Sequence, residues 1–418
     1  MLPPALFLAL SLFPAPQSKP AAKAPDASAE RARKEAALSG KAIAPREIES
    51  AIQRGIALLL AEQESLDPAV PAKGEWPYEG VYRAQELQGR PPVIPLGYRV
   101  GGTSIAALAL IEAAGAQPRD EVRAALERAL AFVLSKLDDP FLNDEFLNGY
   151  DVRGWGHAYG LAFLLRLREA GLVPDARRKA VDEAIHALVA RLARSAIAEP
   201  GGWNYARGKD PSHAAPSTFM TAPTLQILFE AARAGEAVDR AVVEKALDAL
   251  ESARLASSGA FQYGADPAHQ NGKGFEDVPG AIGRTPVCEV TLRLAGRGSV
   301  ERVRAALEAF FAHWEWLEVR RKHDRTHVPP YMIAPYYFFY AHRYAAQAIE
   351  FLPEAERAGC RERLAKLLWA VREEDGGWND RVFPRSENFG TAMTLLALAA
   401  PRARPPAGWT SANTTKEK

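Results

Sequence analysis

Ionisable and aromatic side chains recur in short groups at or near the starts of the most apolar segments of the chain. Two carboxylates at a set distance hydrolyse glycosidic bonds, and a base opposite a charge-neutralising group suits a lyase. No motif identifies any of these residues as catalytic, and each is also explained as a helix cap or a packing residue. The candidates are Tyr98, Arg99, Asp151, Arg153, His157, Tyr159, His213, Arg284, Glu289, Tyr337, Tyr340, His342 and Glu387.

A metal site is the other chemistry that the residue types suggest. His323 and His327 have i,i+4 spacing, which places two imidazoles on one face of a helix, but a Val-Pro-Pro sequence follows and indicates a loop. No third ligand is evident. The only cysteines, Cys288 and Cys360, match no cysteine-rich metal motif and are predicted to be buried free thiols, although the sequence does not exclude a disulfide between them. We predict no metal and no cofactor.

A repeated unit must position these groups. It consists of an amphipathic helix, a turn with glycine and an aromatic residue, and a second, more apolar helix. In turns such as Gly201-Gly202-Trp203 and Asp375-Gly376-Gly377-Trp378, glycine permits a tight helix exit and the aromatic residue packs between helices. Similar turns are predicted at 74–78, 154–156 and 258–263. The first helices, charged on one face, are predicted at 48–60, 122–137, 180–193, 242–255, 300–317 and 361–371.

The second helices carry less charge, and four of them end at a glycine that is predicted to supply a left-handed cap: Gly115, Gly171, Gly235 and Gly296. A helix that is apolar on most sides belongs inside, and one that is apolar on a single side belongs outside. The pattern therefore predicts an all-α (α/α)6 toroid of six helix pairs, with an open solenoid as the alternative. The second helices are predicted at 103–114, 157–170, 218–234, 287–295, 336–351 and 389–399.

In a closed toroid the first turns of the inner helices converge around one mouth of the central cavity. The thirteen candidate residues lie at or near these first turns. Helix N-termini also present free N–H groups and a partial positive charge, which favour anions and oxygen-rich ligands. We therefore predict a ligand site at this mouth, with no catalytic residue assigned.

The Gly-Trp turns resemble the Gln-Trp repeat of squalene-type cyclases, and residues 388–396 resemble the inner-helix start that follows it. From 45 to 400 the chain thus resembles the prenyltransferase/squalene-cyclase repeat family, which includes terpenoid cyclases and protein prenyltransferases; this resemblance implies an α/α toroid. The Asp-x-Asp-Asp motif that such cyclases carry is missing. Prenyltransferases hold zinc with Asp, Cys and His, but Pro286 stands two residues before Cys288, where Asp is expected. We predict neither activity.

The net charge and the two chain ends predict the kind of partner and the location of the protein. A net charge of +1 without a long basic run argues against a nucleic-acid partner. Residues 2–13 are apolar, too short to span a bilayer, and suit a secretory signal although no basic residue precedes them. We predict a signal peptide (1–18), an Ala/Lys/Pro/Glu-rich linker (19–45), a toroid domain (46–401) and a flexible C-terminal tail (402–418). A secreted or periplasmic location follows, with no transmembrane segment and no lipid anchor.

All six predicted helix pairs are present in the sequence, while the catalytic motifs of the family that it resembles are missing. The sequence therefore predicts a secreted toroid that binds a small hydrophobic or carbohydrate ligand, or a protein partner of unknown identity. The alternative is an enzyme that acts on an isoprenoid or a polysaccharide in the central cavity. The lining of that cavity separates the two hypotheses.

Overall fold

The computed structural model describes residues 35–67, 72–79, 94–142, 152–205, 216–264, 277–323, 329–331 and 337–409, and these ranges contain no β-strand. Twelve helices of ten or more residues carry the architecture. They are α1 (Pro45–Glu62), α2 (Leu96–Ala114), α3 (Asp120–Lys136), α4 (Arg153–Glu169), α5 (Arg178–Ser195), α6 (Thr218–Arg233), α7 (Arg240–Ser252), α8 (Thr285–Leu294), α9 (Val300–Ala312), α10 (Tyr337–Ile349), α11 (Glu354–Ala370) and α12 (Glu387–Ala399). Short helices at Val278–Ala281 and Trp314–Glu318 lie in the connections.

The even-numbered helices form a closed ring. Each contacts the next in order from α2 to α12, and α12 returns to contact α2. The odd-numbered helices pack outside them, each against its neighbours in the ring. The predicted (α/α)6 toroid is therefore confirmed, and the open solenoid is excluded.

Burial explains which helices lie inside. The inner helix α6 buries thirteen of its sixteen residues, whereas the outer helix α7 that follows it buries five of thirteen. A helix with apolar or small residues on most sides must be covered all round, and one with a single apolar stripe needs only one neighbouring layer. The ring satisfies both requirements.

Three tryptophans, Trp76, Trp203 and Trp378, join the two helices of a pair in the same way; we call them the clamp tryptophans. Each indole N–H donates to a carbonyl in the last turn of the outer helix, and each tryptophan amide donates to a threonine hydroxyl of the inner helix. The carbonyls belong to Leu59, Leu192 and Leu368, at 2.7, 2.8 and 2.9 Å, and the hydroxyls to Thr103, Thr221 and Thr391, at 2.9, 3.0 and 3.1 Å. The last four carbonyls of a helix have no partner within it, so the indole caps the outer helix while it holds the inner one.

The glycine ends predicted for the inner helices are confirmed, because Gly115, Gly171, Gly235 and Gly296 all have φ between 67° and 88°. The prediction of a turn at 154–156 is wrong. Gly154, Trp155 and Gly156 lie in the first turn of α4, where a Cβ on Gly156 would come within 2.9 Å of Leu142 Cδ1. At Gly156 the absence of a side chain allows Leu142 to pack closely against α4, and the chain does not turn there.

The outer helix predicted at 300–317 is also corrected. It ends at Ala312, and His313 separates it from the short helix Trp314–Glu318. His313 has φ −117° and ψ 13°, outside the helical values, so the chain changes direction there.

The chain ends are described in part. Residues 1–34 and 410–418 lie outside the described ranges, so the signal peptide, most of the linker and the end of the tail stay predictions. Residues 35–39 are helical, and residues 403–409 pack on the ring. Cys288 and Cys360 are both free, the first buried and the second half-buried. None of the helices in the described ranges is long and apolar enough to cross a membrane.

Replacement of Thr391 tests the clamp. Thr391→Val puts a methyl group where the hydroxyl is, so the buried amide of Trp378 loses its acceptor. We expect the free energy of unfolding, measured in urea, to fall by about 1–3 kcal/mol. Thr391→Ser keeps the hydroxyl and loses only a methyl group, so its loss should be about 1 kcal/mol or less. An equal or larger loss in the serine variant would contradict the clamp.

Candidate functional site

Eleven of the thirteen candidate residues lie in the described ranges, and Asp151 and His213 lie outside them. Undescribed residues immediately precede several inner helices, so this end of the ring is described in part. Aromatic rings occupy the part that is described: Tyr78 stacks on Phe389 at 4.1 Å and Trp155 packs on Tyr159 at 5.1 Å. Such rings fill the space between the inner helices at their N-terminal ends.

Tyrosines extend this aromatic cluster. Tyr98 packs edge-on against Trp155, and Phe219 contacts both Tyr337 and Tyr340 at 3.9 Å. The Tyr340 hydroxyl donates to the Phe219 carbonyl at 3.0 Å. The hydroxyls of Tyr205, Tyr263 and Tyr337 meet in one hydrogen-bonded group, with 2.8 Å between Tyr337 and Tyr263 and 3.0 Å between Tyr205 and Tyr263. The structure therefore brings the predicted tyrosines together.

The charged candidates face protein groups. Arg99 makes a two-point ion pair with the buried Glu75, at 2.7 and 2.8 Å. The carboxylate of Glu289, on α8, accepts from Arg254 at 2.6 Å and Arg302 at 2.8 Å. Both oxygens of this carboxylate are therefore occupied by protein groups that brace α8.

Three further candidates are also enclosed by protein. Arg284 donates to the carbonyls of Phe261 and Gly280. His157 Nε2 lies 2.5 Å from the Leu142 carbonyl, and Arg153 is buried at the start of α4. These contacts are those expected of residues that hold loops against the ring.

Glu387 lies at the N-terminus of α12. Burial raises the pKa of its carboxyl group to about 8, and the neighbouring carboxyl groups of Asp375 and Glu62 act in the same direction. This cluster surrounds the Gly-Gly-Trp turn, since a Cβ on Gly377 would come within 2.5 Å of a Glu387 oxygen. Glu387 thus belongs to the junction of α11 with α12.

His342 is a packing residue inside α10. The Trp314 indole donates to Nε2 at 2.8 Å, so Nδ1 carries the hydrogen and donates to the Phe338 carbonyl at 2.7 Å. Burial lowers the pKa of the imidazole to about 4, so the ring is neutral at neutral pH.

A cavity of about 440 Å³ lies toward the opposite end of the ring, near the C-terminal ends of the inner helices. Its apolar lining comes mainly from α2, α4, α6 and α12, with α10 and residues 403–406 contributing further lining groups. Tyr159 is the one candidate residue that lines it. The apolar residues that these four helices contribute are Leu108, Ala162, Leu165, Pro223, Ile227, Met393 and Leu396.

Two pairs of polar side chains face this cavity. Gln226 and Gln347 exchange hydrogen bonds at 2.8 and 3.2 Å, and Gln226 also donates to Thr291 at 2.9 Å. The hydroxyls of Tyr159 and Tyr344 lie 3.4 Å apart, and burial raises the pKa of both tyrosines. Both phenols are therefore neutral and able to donate or accept hydrogen bonds.

Charged residues form the rim of the cavity, with five arginines and three glutamates. Glu112 pairs with Arg166 at 2.5 Å, and Glu230 pairs with Arg233. Arg404, from the C-terminal segment, pairs with Glu169 and with Glu230. Burial raises the pKa of Glu230, and the Ala407 amide and Arg233 oppose that shift. Every glutamate of the rim thus faces at least one arginine.

The C-terminal segment, residues 403–409, crosses this end of the ring. The Ala407 amide donates to Glu230 at 2.7 Å. Trp409 stacks on Phe229 of α6 with ring centroids 5.4 Å apart, and its indole donates to Glu244 of α7 at 2.8 Å. The segment therefore forms part of the cavity wall.

Several polar residues of interest escaped the sequence analysis. Gln226 and Gln347 stand alone within apolar helices, which is a usable signal for a polar group facing an internal space. Asp380 gives no such signal, since it follows the Gly-Gly-Trp turn like any surface carboxylate. It is fully buried, and burial raises the pKa of its carboxyl group to about 7. No group of three or more His, Cys, Asp or Glu side chains in the described ranges is arranged to hold a metal ion.

Comparison with known proteins bears on the fold. No family profile and no curated protein matches the chain. The GH76A α-1,6-mannanase from Salegentibacter sp. HEL1_6 is similar in structure, with a TM-score of 0.51 and 11% identity over 85% of this chain and 99% of that chain. The apo type II terpene cyclase MstE from Scytonema gives 0.49 and 14% over 86% and 99%. The α/α-toroid fold that the predicted resemblance implies is confirmed, and the fold does not decide the chemistry.

The buried imidazole of His342 predicts a pH effect on stability. Its pKa falls from 6.5 to about 4 on folding, so between these values the unfolded chain binds more protons than the folded protein. The free energy of unfolding should therefore drop as the pH falls from 6.5 to 4, by up to about 3 kcal/mol from this group. In His342→Phe, urea denaturation should show that drop reduced by this amount. His186→Gln, at an exposed position on α5, is the control, and an unchanged pH dependence in His342→Phe would contradict the assignment.

Proposed function

We propose that this protein binds an amphipathic small molecule, with an apolar chain in the central cavity and an acidic or oxygen-rich group at the rim. The observation that carries the proposal is the cavity itself. Its volume of about 440 Å³ lies in the range of small-molecule sites, about 300–1,000 Å³. Mainly apolar walls with a few convergent polar groups are the usual composition of such sites.

The polar groups in the walls suit the middle of a chain-like ligand. The Gln226–Gln347 pair and the Tyr159–Tyr344 pair already bond to each other, so the walls present satisfied polar groups. A ligand without polar atoms along its chain can cover them at little cost, whereas a sugar would have to find new partners for each hydroxyl. This favours a hydrocarbon or isoprenoid chain over a carbohydrate.

The rim supports an acidic group on the ligand. Four of the five rim arginines are paired with carboxylates, including Arg168, which Asp182 and Glu236 hold. Arg343 has no carboxylate partner among the described residues. Arginine binds carboxylate and phosphate through two parallel hydrogen bonds. Arg343 is placed for this task, because it lies on α10 beside Tyr344 with its guanidinium carbon 5.6 Å from the ring centroid.

The carboxylates at the cavity support binding without conversion. General acid catalysis requires a carboxyl group whose environment keeps a proton available to the ligand. The oxygens of Glu112 and Glu169 instead pair with Arg166 and Arg404. Burial raises the pKa of Glu230, but its oxygens are already occupied by Arg233, Arg404 and the Ala407 amide. Burial raises the pKa of Asp380 to about 7 and that of Glu387 to about 8, but these residues lie in the turn before α12 and at its start, and neither lines the cavity. Secretion or a periplasmic location remains part of the proposal.

A cavity-filling variant tests this function. Ala162→Trp places an indole in the apolar part of the cavity and should weaken the binding of palmitate, measured by isothermal titration calorimetry, by at least about tenfold. Ala124→Trp, on the exposed face of α3, is the matched control and should bind as the wild type does.

Farnesol and mannotetraose serve as the second and third probes in the same titration. Farnesol, which has a chain but no acidic group, should bind more weakly than palmitate. Binding of mannotetraose in preference to both would overturn the proposal in favour of a carbohydrate ligand. Conversion of any probe, detected by mass spectrometry after incubation, would establish an enzyme.

A further inference from the structure

Arg320 is a buried cation that has no counterion in the part of the chain that the structure describes. It follows the short helix Trp314–Glu318, and only 1% of its surface is exposed. None of its three guanidinium nitrogens has a hydrogen-bond acceptor among the described residues. Arg284, which is buried to a similar degree, is different because it donates to the carbonyls of Phe261 and Gly280. The isolation of Arg320 is therefore specific to that side chain.

A buried guanidinium group without hydrogen-bond acceptors destabilises the folded protein. It carries five N–H donors and a charge, and an unpaired buried charge costs several kcal/mol. Burial and repulsion from Arg284 lower the pKa of Arg320 to about 10, so the group still carries its charge at neutral pH. At neutral pH, deprotonation therefore does not remove the destabilisation caused by this buried charge.

The acidic groups nearby act on the residues next to Arg320 in the chain and not on Arg320 itself, and the buried Asp380 likewise acts on Arg321 and Lys322. Arg321 pairs with Glu318 and Glu373, and Lys322 pairs with Glu373 at 2.9 Å. Arg284 adds a second positive charge, which acts on Arg320 and lowers its pKa. The surroundings of Arg320 therefore attract an anion from outside the described protein groups.

The structure assigns Arg320 as the binding residue for an oxyanion, the carboxylate or phosphate group of a ligand. The planar guanidinium offers the two parallel N–H bonds that such a group accepts, and Arg284 contributes the second charge. Tyr331 covers the site, since its ring centroid lies 5.8 Å from the guanidinium carbon, and the neighbouring Pro329 and Pro330 are exposed. Displacement of this aromatic cover admits the anion.

This site is distinct from the central cavity. Arg284 precedes the first residue of α8 and so lies at the N-terminal end of the ring, whereas the cavity lies toward the C-terminal ends. None of Arg284, Arg320 and Tyr331 lines the cavity. Failure of one site in an experiment therefore leaves the other untouched.

Phosphate and acetate, each titrated against the full-length protein at an ionic strength held constant with sodium chloride, test the assignment. Calorimetry gives the dissociation constant, and thermal unfolding gives the midpoint temperature. The wild type should bind at least one of the two anions and unfold at a higher temperature in its presence. A response to phosphate alone identifies a phosphorylated ligand, and a response to acetate alone identifies a carboxylate.

Arg320→Met is the decisive variant. It removes an unpaired buried charge while it keeps an unbranched side chain, so it should unfold at a higher temperature than the wild type when no anion is present. It should also weaken anion binding by at least about tenfold. Arg320→Lys keeps the charge without the planar fork and should weaken binding in the same direction, which provides a test if the methionine variant does not fold.

Arg293→Met, at an exposed position on α8, is the matched control and should behave as the wild type. The assignment is overturned if neither anion affects the wild type, or if Arg320→Met and Arg320→Lys both bind anion as tightly as the wild type does.

Discussion

The indole N–H of each clamp tryptophan donates a hydrogen bond to a carbonyl that has no partner within the outer helix to which it belongs. Leu59, Leu192 and Leu368 all lie among the last four residues of an outer helix, where no later amide of the helix can reach back to bond them. The tryptophan amide then fixes the start of the following inner helix through a threonine hydroxyl. One residue thus sets the distance and the rotation between the two layers. The three clamps hold α1 to α2, α5 to α6 and α11 to α12, and the last two of these helices complete the ring beside the first pair.

A ring of six inner helices must fill its own centre. At the N-terminal ends tyrosines, phenylalanines and Trp155 do so in the described residues, and the polar candidates around them bond to carbonyls and to one another. Toward the C-terminal ends the lining is mostly aliphatic and glutamine side chains, with Tyr159 and Tyr344 as the aromatic members, and a cavity remains. The cavity is therefore a consequence of side-chain volume along the axis.

The sequence was sufficient for the architecture because the architecture rests on local patterns. Apolar periodicity separated inner from outer helices, and repeated glycine positions located the helix ends. The turn predicted at 154–156 was wrong because a glycine that admits Leu142 looks the same in sequence as one that reverses the chain. His313 interrupts a charged amphipathic pattern that continues on both sides of it, so the break after α9 was not visible either.

The sites were less predictable, because each depends on contacts between distant parts of the chain. Gln226 and Gln347 become a pair only when the ring places α6 against α10 across the cavity. Arg320, Arg321 and Lys322 are three consecutive cations in sequence, and burial and the position of acidic neighbours alone distinguish the first of them. Such differences follow from the folded surroundings of a residue and not from its type.

Closure of the ring has a consequence for how the molecule forms. The contact between α2 and α12 joins helices with residues 115–386 between them, so this seam is made only when nearly the whole chain is available. Contacts over such sequence distances form slowly, because the ends of a long loop must first meet. An open solenoid gains stability with each added unit, whereas here α2 keeps one apolar side unpaired until the last helix arrives. During synthesis the apolar side of α2 that contacts α12 therefore stays uncovered until the C-terminal half of the chain has been made.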